Sequence, residues 1–176
     1  LVTVSIGHDF NFLGQFVILL LIQLGGIGYM TFSSFICLAR GNGLPLNRQR
    51  VGRVVFSLPD GFSINRFIRG ALVFSVAVET AGTAALYFAF MRANVENPFW
   101  AALFHSVSAF CTAGFSLWDS GMVQFQGDVA VNLIIDVLCY AGAIGFIVFL
   151  DFWRWLVGKQ ERITLTSRII LAATGW

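Results

Sequence analysis

Three long apolar stretches, separated by polar connections, set the rhythm of this chain. The first covers 12–39, "FLGQFVILLLIQLGGIGYMTFSSFICLA", and contains no charged residue. At 1.5 Å per residue its roughly 28 residues make a helix of about 40 Å, enough to cross a bilayer with tilt. The second covers 67–91, with Arg69 near its start and Glu79 in its middle; the third covers 129–157, with Asp136 and Asp151 inside it. All three are predicted transmembrane helices. Between the second and third lies a shorter apolar run, 98–110. Its roughly 13 residues reach only about 20 Å as a helix, too short to span. Pro98 suits a first helical position, where its missing N–H would be unpaired anyway, and Asn97 fits the N-cap before it. The pattern predicts a half-helix that enters the membrane and stops.

Composition agrees. The chain of 176 residues is 57% hydrophobic, has a mean hydropathy of +0.80 and is only 11% charged, against about 25% in soluble domains. An all-α membrane protein is the fold class this implies. A net charge of +2, with no basic stripe interleaved with aromatics, excludes a nucleic-acid binder. The cysteines, Cys37, Cys111 and Cys139, are odd in number and widely spaced, so they form neither a disulfide framework nor a CxxC metal site. His8 and His105 lie too far apart to argue a metal cluster. The chain opens on Leu1, shows no signal-peptide pattern, and closes on Trp176 just after a new apolar run has begun; it reads as an excerpt of a longer polypeptide.

Charge sets the predicted orientation. Of the 11 Lys and Arg, Arg40, Arg48, Arg50, Arg53, Arg66 and Arg69 cluster before or at the second span, and Arg154, Lys159, Arg162 and Arg168 lie at the end of the third or after it. Only Arg92 falls on the other side. The positive-inside rule places 41–66 and 158–168 in the cytoplasm. The segments 1–11, 92–98 and 118–128 then face outward, and the half-helix enters from the outer face and returns to it. The connection 41–66, with Gly41, Gly43, Pro45, Pro59 and Gly61, has room for one short helix around 47–57.

An internal repeat is visible. "QLGGIGYMTF" (23–32) and "YAGAIGFIVF" (140–149) align with Gly25 on Gly142, Gly28 on Gly145 and Phe32 on Phe149. Repeats are a building principle of transport proteins, and locally the small residues permit close helix packing. The third span thus reads as a second copy of the first. The resulting plan is one of span–pore-loop–span repeats: 1–40 ends a first repeat with its second helix, 67–157 is a complete second repeat, and 158–176 links to a third.

The stretch "AFCTAGFSL" (109–117) breaks the apolar text just after the half-helix. Backbone that leaves helical form inside a membrane has unpaired N–H and C=O groups that lipid cannot satisfy. It persists when buried in protein or lining water, and in a selectivity filter its carbonyls are met by dehydrated cations. Gly114 can turn its carbonyl toward an axis, Thr112 and Ala113 are small, and the half-helix would aim its partially negative end at the pore. His105, Ser106 and Ser108 sit where they could bond the loop. An ordinary extracellular turn after a surface helix is the other reading of the same residues.

These motifs carry a resemblance. "FHSVSAFCTAGFSL" (104–117) resembles the second pore loop of the Trk/Ktr/HKT superfamily of potassium transporters. "GQFVILLLIQLGGIGYMTF" (14–32) and "VNLIIDVLCYAGAIGFIVFLDFWRW" (131–155) resemble the helices after that superfamily's first and second pore loops. The resemblance implies four span–pore–span units in one polypeptide, moving potassium and in some members sodium across the cell membrane. By it, Gly114 is the filter glycine of the second unit, with the carbonyls of Cys111, Thr112 and Ala113 as candidate ion ligands. His105, Ser106, Ser108, Phe115 and Glu79 are candidate supports of that filter. It further implies a homodimer with a cytosolic nucleotide-binding regulatory subunit. No cofactor and no resident metal are expected beyond the transported ion. Family members often carry Asn where Cys111 and Thr112 stand, and an apolar residue at Asp136.

Remaining polar residues have competing readings. Glu79 either bonds a pore-loop donor and braces the filter, the favoured reading, or binds ions directly, or simply finds some other partner. Asp136 either raises local cation concentration or, the favoured reading, is protonated and bonded to a neighbouring helix. Asp119 and Asp128 either attract cations at the outer mouth or are simply solvated. Tyr87, Trp100, Trp118, Trp153, Trp155 and Trp176, near span ends, fit an interfacial aromatic belt. Two rivals to ion conduction stand: a membrane-embedded enzyme using His105 with Ser106 or Ser108, which would lack a positioned acid, and a non-conducting structural subunit.

Overall fold

The structure, a computed structural model, describes residues 5–27, 64–156 and 165–174. Among them every regular element is helical and no strand occurs. The helices are α1 (Ile6–Asp9), α2 (Phe12–Ile27), α3 (Ile64–Arg92), α4 (Pro98–Phe110), α5 (Val129–Leu156) and α6 (Leu165–Thr174), with a single 3₁₀ turn at Val123–Phe125. The predicted short helix around 47–57, the later half of the first span, and residues 158–164 lie outside the described residues. By length and composition, Ile68–Arg92 is the one described helix able to cross a membrane; Phe12–Gly26 and Val129–Gly145 are shorter apolar helices.

Local chemistry starts these helices. Asn11 caps α2, its Oδ1 accepting from the Gly14 N–H at 2.9 Å. Asp128 caps α5, accepting from the N–H groups of Ala130 (2.9 Å) and Val131 (3.2 Å), a contribution of about 1 kcal/mol. Asp128 therefore has a role at a helix end. Asn97 precedes α4 in the left-handed region (φ 49°) and its side chain makes no capping bond; the helix starts on Pro98 instead.

The chain forms two compact units. The first comprises 1–26 and 75–143. Its centre is α4, nine of whose 13 residues are buried, including the whole run 104–110. Ile6, Leu19, Ile22, Phe104 and Val107 pack on one side, and Leu86, Phe90, Ala102, Phe125, Val131 and Leu138 on another. The surrounding helices are bare outside: Leu13, Leu21, Val76, Phe88, Leu133 and Val137 are all more than half exposed. An extensive apolar exterior of this kind suits lipid or further protein.

Glycines let α4 sit this deep. A Cβ on Gly26 would overlap the Cys111 side chain, and one on Gly142 the Phe110 carbonyl. One on Gly82 would lie 2.6 Å from Ser106 Oγ. Each of α2, α3 and α5 thus gives up a side chain where it meets the half-helix, as small residues do at helix contacts in lipid.

The second unit comprises 27–74 and 144–176. Within it Ile68, Val148 and Ser167 are buried, and the rings of Phe74 and Phe149 lie 4.9 Å apart. Helix α5 is interrupted at Gly145 (φ 74°, ψ 165°). The third predicted span is therefore two helical pieces joined at a glycine. Gly142 obeys the packing reading of the repeat; Gly145, with nothing within 4 Å of an added Cβ, is there for its backbone angles.

Candidate functional site

The half-helix ends in a Schellman motif. The Ala113 N–H bonds the Ser108 carbonyl and the Thr112 N–H the Ala109 carbonyl, each at 2.9 Å, while Cys111 occupies the C-cap. Such an ending needs a left-handed residue after the cap, and here that residue is Thr112, at φ 50°. A β-branched residue is strained in that region. Its hydroxyl finds a local partner, donating to the Cys111 carbonyl at 2.8 Å. Gly114 is the second left-handed position of the loop, at φ 70°, exposed and with nothing within 4 Å of an added Cβ. Residues 113–116 are non-helical.

The loop is tied to its own half-helix. Ser108 Oγ donates to the Phe115 carbonyl at 2.7 Å, so Phe115 contributes a backbone oxygen while its ring is exposed. His105 Nδ1 donates to the Ala101 carbonyl (2.7 Å), which leaves Nε2 to accept from the Leu117 N–H (3.4 Å) and to meet Ser116 Oγ at 3.1 Å. With one nitrogen donating and the other accepting, the network assigns a neutral imidazole. The Trp118 indole stacks on it, with ring centroids 4.3 Å apart and planes at 16°, and Phe90 packs edge-on to both rings.

The carbonyls of Thr112, Ala113 and Gly114 behave differently. Among the described residues none of the three accepts a hydrogen bond. They come directly after the C-terminal end of α4, where the partial negative charge of the helix lies.

Two supports differ from expectation. Ser106 is fully buried but does not bond the loop; its Oγ donates to the Glu79 carbonyl of α3 at 2.8 Å. The buried Glu79 carboxylate does not meet a pore-loop donor. Both its oxygens accept from Gln23 Nε2, at 2.9 and 3.0 Å. Gln23 Oε1 in turn faces Cys111 Sγ at 3.8 Å. Bracing, where it exists, is relayed. Gln23 was legible only as the polar interruption of an uncharged span.

Other residues also change their reading. Trp118 is packed against His105, Phe90 and Phe125 rather than standing as a belt residue. Trp100 donates from Nε1 to Gln15 Oε1 at 2.7 Å. Asp119 accepts from Ser5 Oγ, and the backbone of Gly7 closes on Leu117, so the N-terminal turn is fastened to the segment after the loop. Beside them opens a cleft of about 510 Å³ lined by His8, Gln15, Trp100, Trp118 and Asp119, among others. Asp136 is exposed and makes no hydrogen bond among the described residues. No group of three or more His, Cys, Asp or Glu that could hold a metal ion occurs among the described residues.

Comparisons with known proteins agree with one another. A family model described as a cation transport protein, TrkH, matches residues 3–171. The chain is 34% identical over 175 residues to the Ktr system potassium uptake protein B of Bacillus subtilis (strain 168), covering 99% of this chain and 39% of that protein. It is 30% identical over 173 residues to the protein of the same name from Vibrio alginolyticus, covering 97% of this chain and 38% of that protein. It is 28% identical over 175 residues to the potassium/sodium uptake protein NtpJ of Enterococcus hirae, covering 99% of this chain and 38% of that protein. The chain thus spans about two fifths of the length of these curated relatives.

Proposed function

The chain belongs to the TrkH family of cation transport proteins, and from that premise we propose that it forms part of the conduction path of a membrane potassium-uptake protein. A potassium ion sheds its water and is held by backbone oxygens of the loop 111–117, with Gly114 as the filter glycine and Cys111, Thr112 and Ala113 beside it. The observation that carries this reading is the run of carbonyls at Thr112, Ala113 and Gly114 that accept no hydrogen bond among the described residues. Unpaired carbonyls are costly in a membrane unless something else meets them, and a dehydrated cation is that something. The adjoining end of α4 favours a cation over an anion. No covalent chemistry is involved.

The rival enzyme reading pairs His105 with Ser106 or Ser108, but those two hydroxyls donate to the Glu79 and Phe115 carbonyls and neither meets the imidazole. In the proposed arrangement α4 is a re-entrant pore helix between spans α3 and α5, with 41–66 and 158–168 cytoplasmic. Further repeats of the same polypeptide complete the pore in the cell membrane. A second copy and a cytosolic nucleotide-binding subunit complete the uptake system, as the family resemblance implies; the Ktr names of the relatives, uptake proteins B of a system, fit several components.

The test is growth on low potassium of a bacterium lacking its own potassium uptake, rescued by the full-length protein. Gly114→Ser forces a Cβ into the left-handed region, at a cost of about 1–2 kcal/mol, and is expected to abolish rescue or potassium preference. Unchanged rescue at normal protein level would favour a non-conducting subunit.

A further inference from the structure

We infer that Gln23 is a specificity-determining positioning residue, whose side-chain amide transmits the fixed position of the Glu79 carboxylate to Cys111, where the half-helix closes and the filter loop opens. This deepens the transport reading and rests on it.

Donor and acceptor roles are asymmetric along this contact. A carboxylate only accepts, whereas an amide has one donating and one accepting end. With Nε2 directed at both Glu79 oxygens, the orientation of the Gln23 amide is set. The end left over is Oε1, which can take only a donor, and the group it faces is the Cys111 thiol. Carboxylate, amide and thiol thus form a line with a single polarity, drawn from α3, α2 and the cap of α4. Gly26 stands one turn beyond Gln23 on the same face of α2, and an added Cβ there would lie 3.3 Å from Cys111 Cα. Cys111 is therefore held twice by α2: its side chain by Gln23, its backbone by close approach at Gly26. Its own N–H is spent on the Val107 carbonyl at 2.9 Å.

Immediately beyond Cys111 the chain presents the three carbonyls that meet no donor among the described residues. A peptide plane that turns at the cap swings all of them. Selectivity among alkali cations depends on the spacing and stiffness of such oxygens, so a residue that fixes the cap affects the ion ratio before it affects whether the chain folds. Glu79 is 7% exposed in the middle of an apolar helix, a placement that is costly and generally functional; holding Gln23 is the function assigned to it here.

The experiment uses the full-length protein with every cysteine except Cys111 replaced by Ala, and reads two quantities: the rubidium-to-sodium uptake ratio, and maleimide labelling of Cys111 in native membranes. Gln23→Leu is expected to lower the ratio about tenfold, the size of one lost hydrogen bond to a charged partner, and to raise labelling. Gln23→Glu sets two acids face to face and is expected to lower it further. The exchange Gln23→Glu with Glu79→Gln restores one acceptor-only and one amide group, and the ratio is expected to return to within about threefold of wild type, the coupling expected of residues in contact. An unmoved ratio in Gln23→Leu, or an exchanged pair no better than Gln23→Glu alone, would overturn the assignment. Should the single variants not reach the membrane, the exchanged pair decides by its own ratio. A wild-type protein that carries neither ion defeats the transport reading instead, and Cys111 labelling in Gln23→Leu then shows whether Gln23 holds the cap.

Discussion

Helices α3 and α4 are both apolar, and the chain uses them in opposite ways. Helix α3 has 29 residues, shows Val73, Val76 and Phe88 to the outside and buries few polar groups: Glu79, Thr83 and Ser75. Helix α4 has 13 residues, is enclosed on all sides over 104–110, and buries His105, Ser106 and Ser108 among its apolar side chains. The long helix can stand in lipid because its backbone bonds are internal. In the proposed re-entrant arrangement the short one ends within the apolar layer, so its end and the loop beyond need partners from protein. Its polar residues supply two of them directly, to Phe115 and to the 116–118 segment, and a third anchors the helix to α3. In the long helix Glu79 holds a neighbouring helix through Gln23; in the short helix His105 and Ser108 shape the adjoining loop.

The contrast breaks most severely where a glycine admits α4 to its socket. Gly142→Val drives a side chain into the Phe110 carbonyl, and overpacking of this kind costs about 3 kcal/mol or more where backbone cannot yield. Loss of folded protein, followed by fluorescence-detected size exclusion in mild detergent, is expected; a normal elution profile would remove the socket. Next is His105→Leu, which leaves the Leu117 N–H without its acceptor, removes the imidazole contacts to Ala101 and Ser116, and costs about 2–3 kcal/mol. The thermal midpoint in detergent should fall and the ion ratio should drift toward sodium. Ser108→Ala removes one donor, at about 1 kcal/mol. It should alter selectivity with a smaller fall in stability than His105→Leu, because Phe115 belongs to the loop and not to the core. Thr112→Gly relieves the left-handed strain and should raise the midpoint, by the equivalent of about 1 kcal/mol. Smallest is Gly25→Ala, where nothing lies within 4 Å; it should be neutral or gain a few tenths, up to about 1 kcal/mol. An effect as large as that of Gly142→Val would show that the repeat glycines are equivalent, contrary to their surroundings.

Much of this was legible because it is local. Apolar runs gave helices, Pro98 marked the start of α4, and the change to "CTAGF" marked its end. The filter candidates rest on the same local break. Long-range choices were not legible. Gln23 and Glu79 are 56 residues apart and Gln15 and Trp100 are 85 apart; nothing in the spacing says that a mid-span acid will prefer a glutamine on another helix to a donor in the loop. Trp118 looked like an interfacial residue because it falls near a span end, and only packing reveals the imidazole beneath it. Gly142 and Gly145 look alike in a repeat, yet one yields room to a carbonyl and the other supplies backbone angles that interrupt a helix. Asp128 was readable as a cap, standing directly before Val129, but was weighed only as a cation attractor or a solvated acid.

The central claim is that peptide oxygens of the 112–114 segment take the place of water around a potassium ion. The most direct measurement is an experimental structure of the full-length protein in rubidium or thallium, with anomalous difference density calculated at this loop. A peak within contact distance of the Thr112, Ala113 and Gly114 carbonyls, displaced by competing potassium, is the expected result. Those oxygens turned toward acyl chains, with the heavy cation bound elsewhere or not at all, would contradict it.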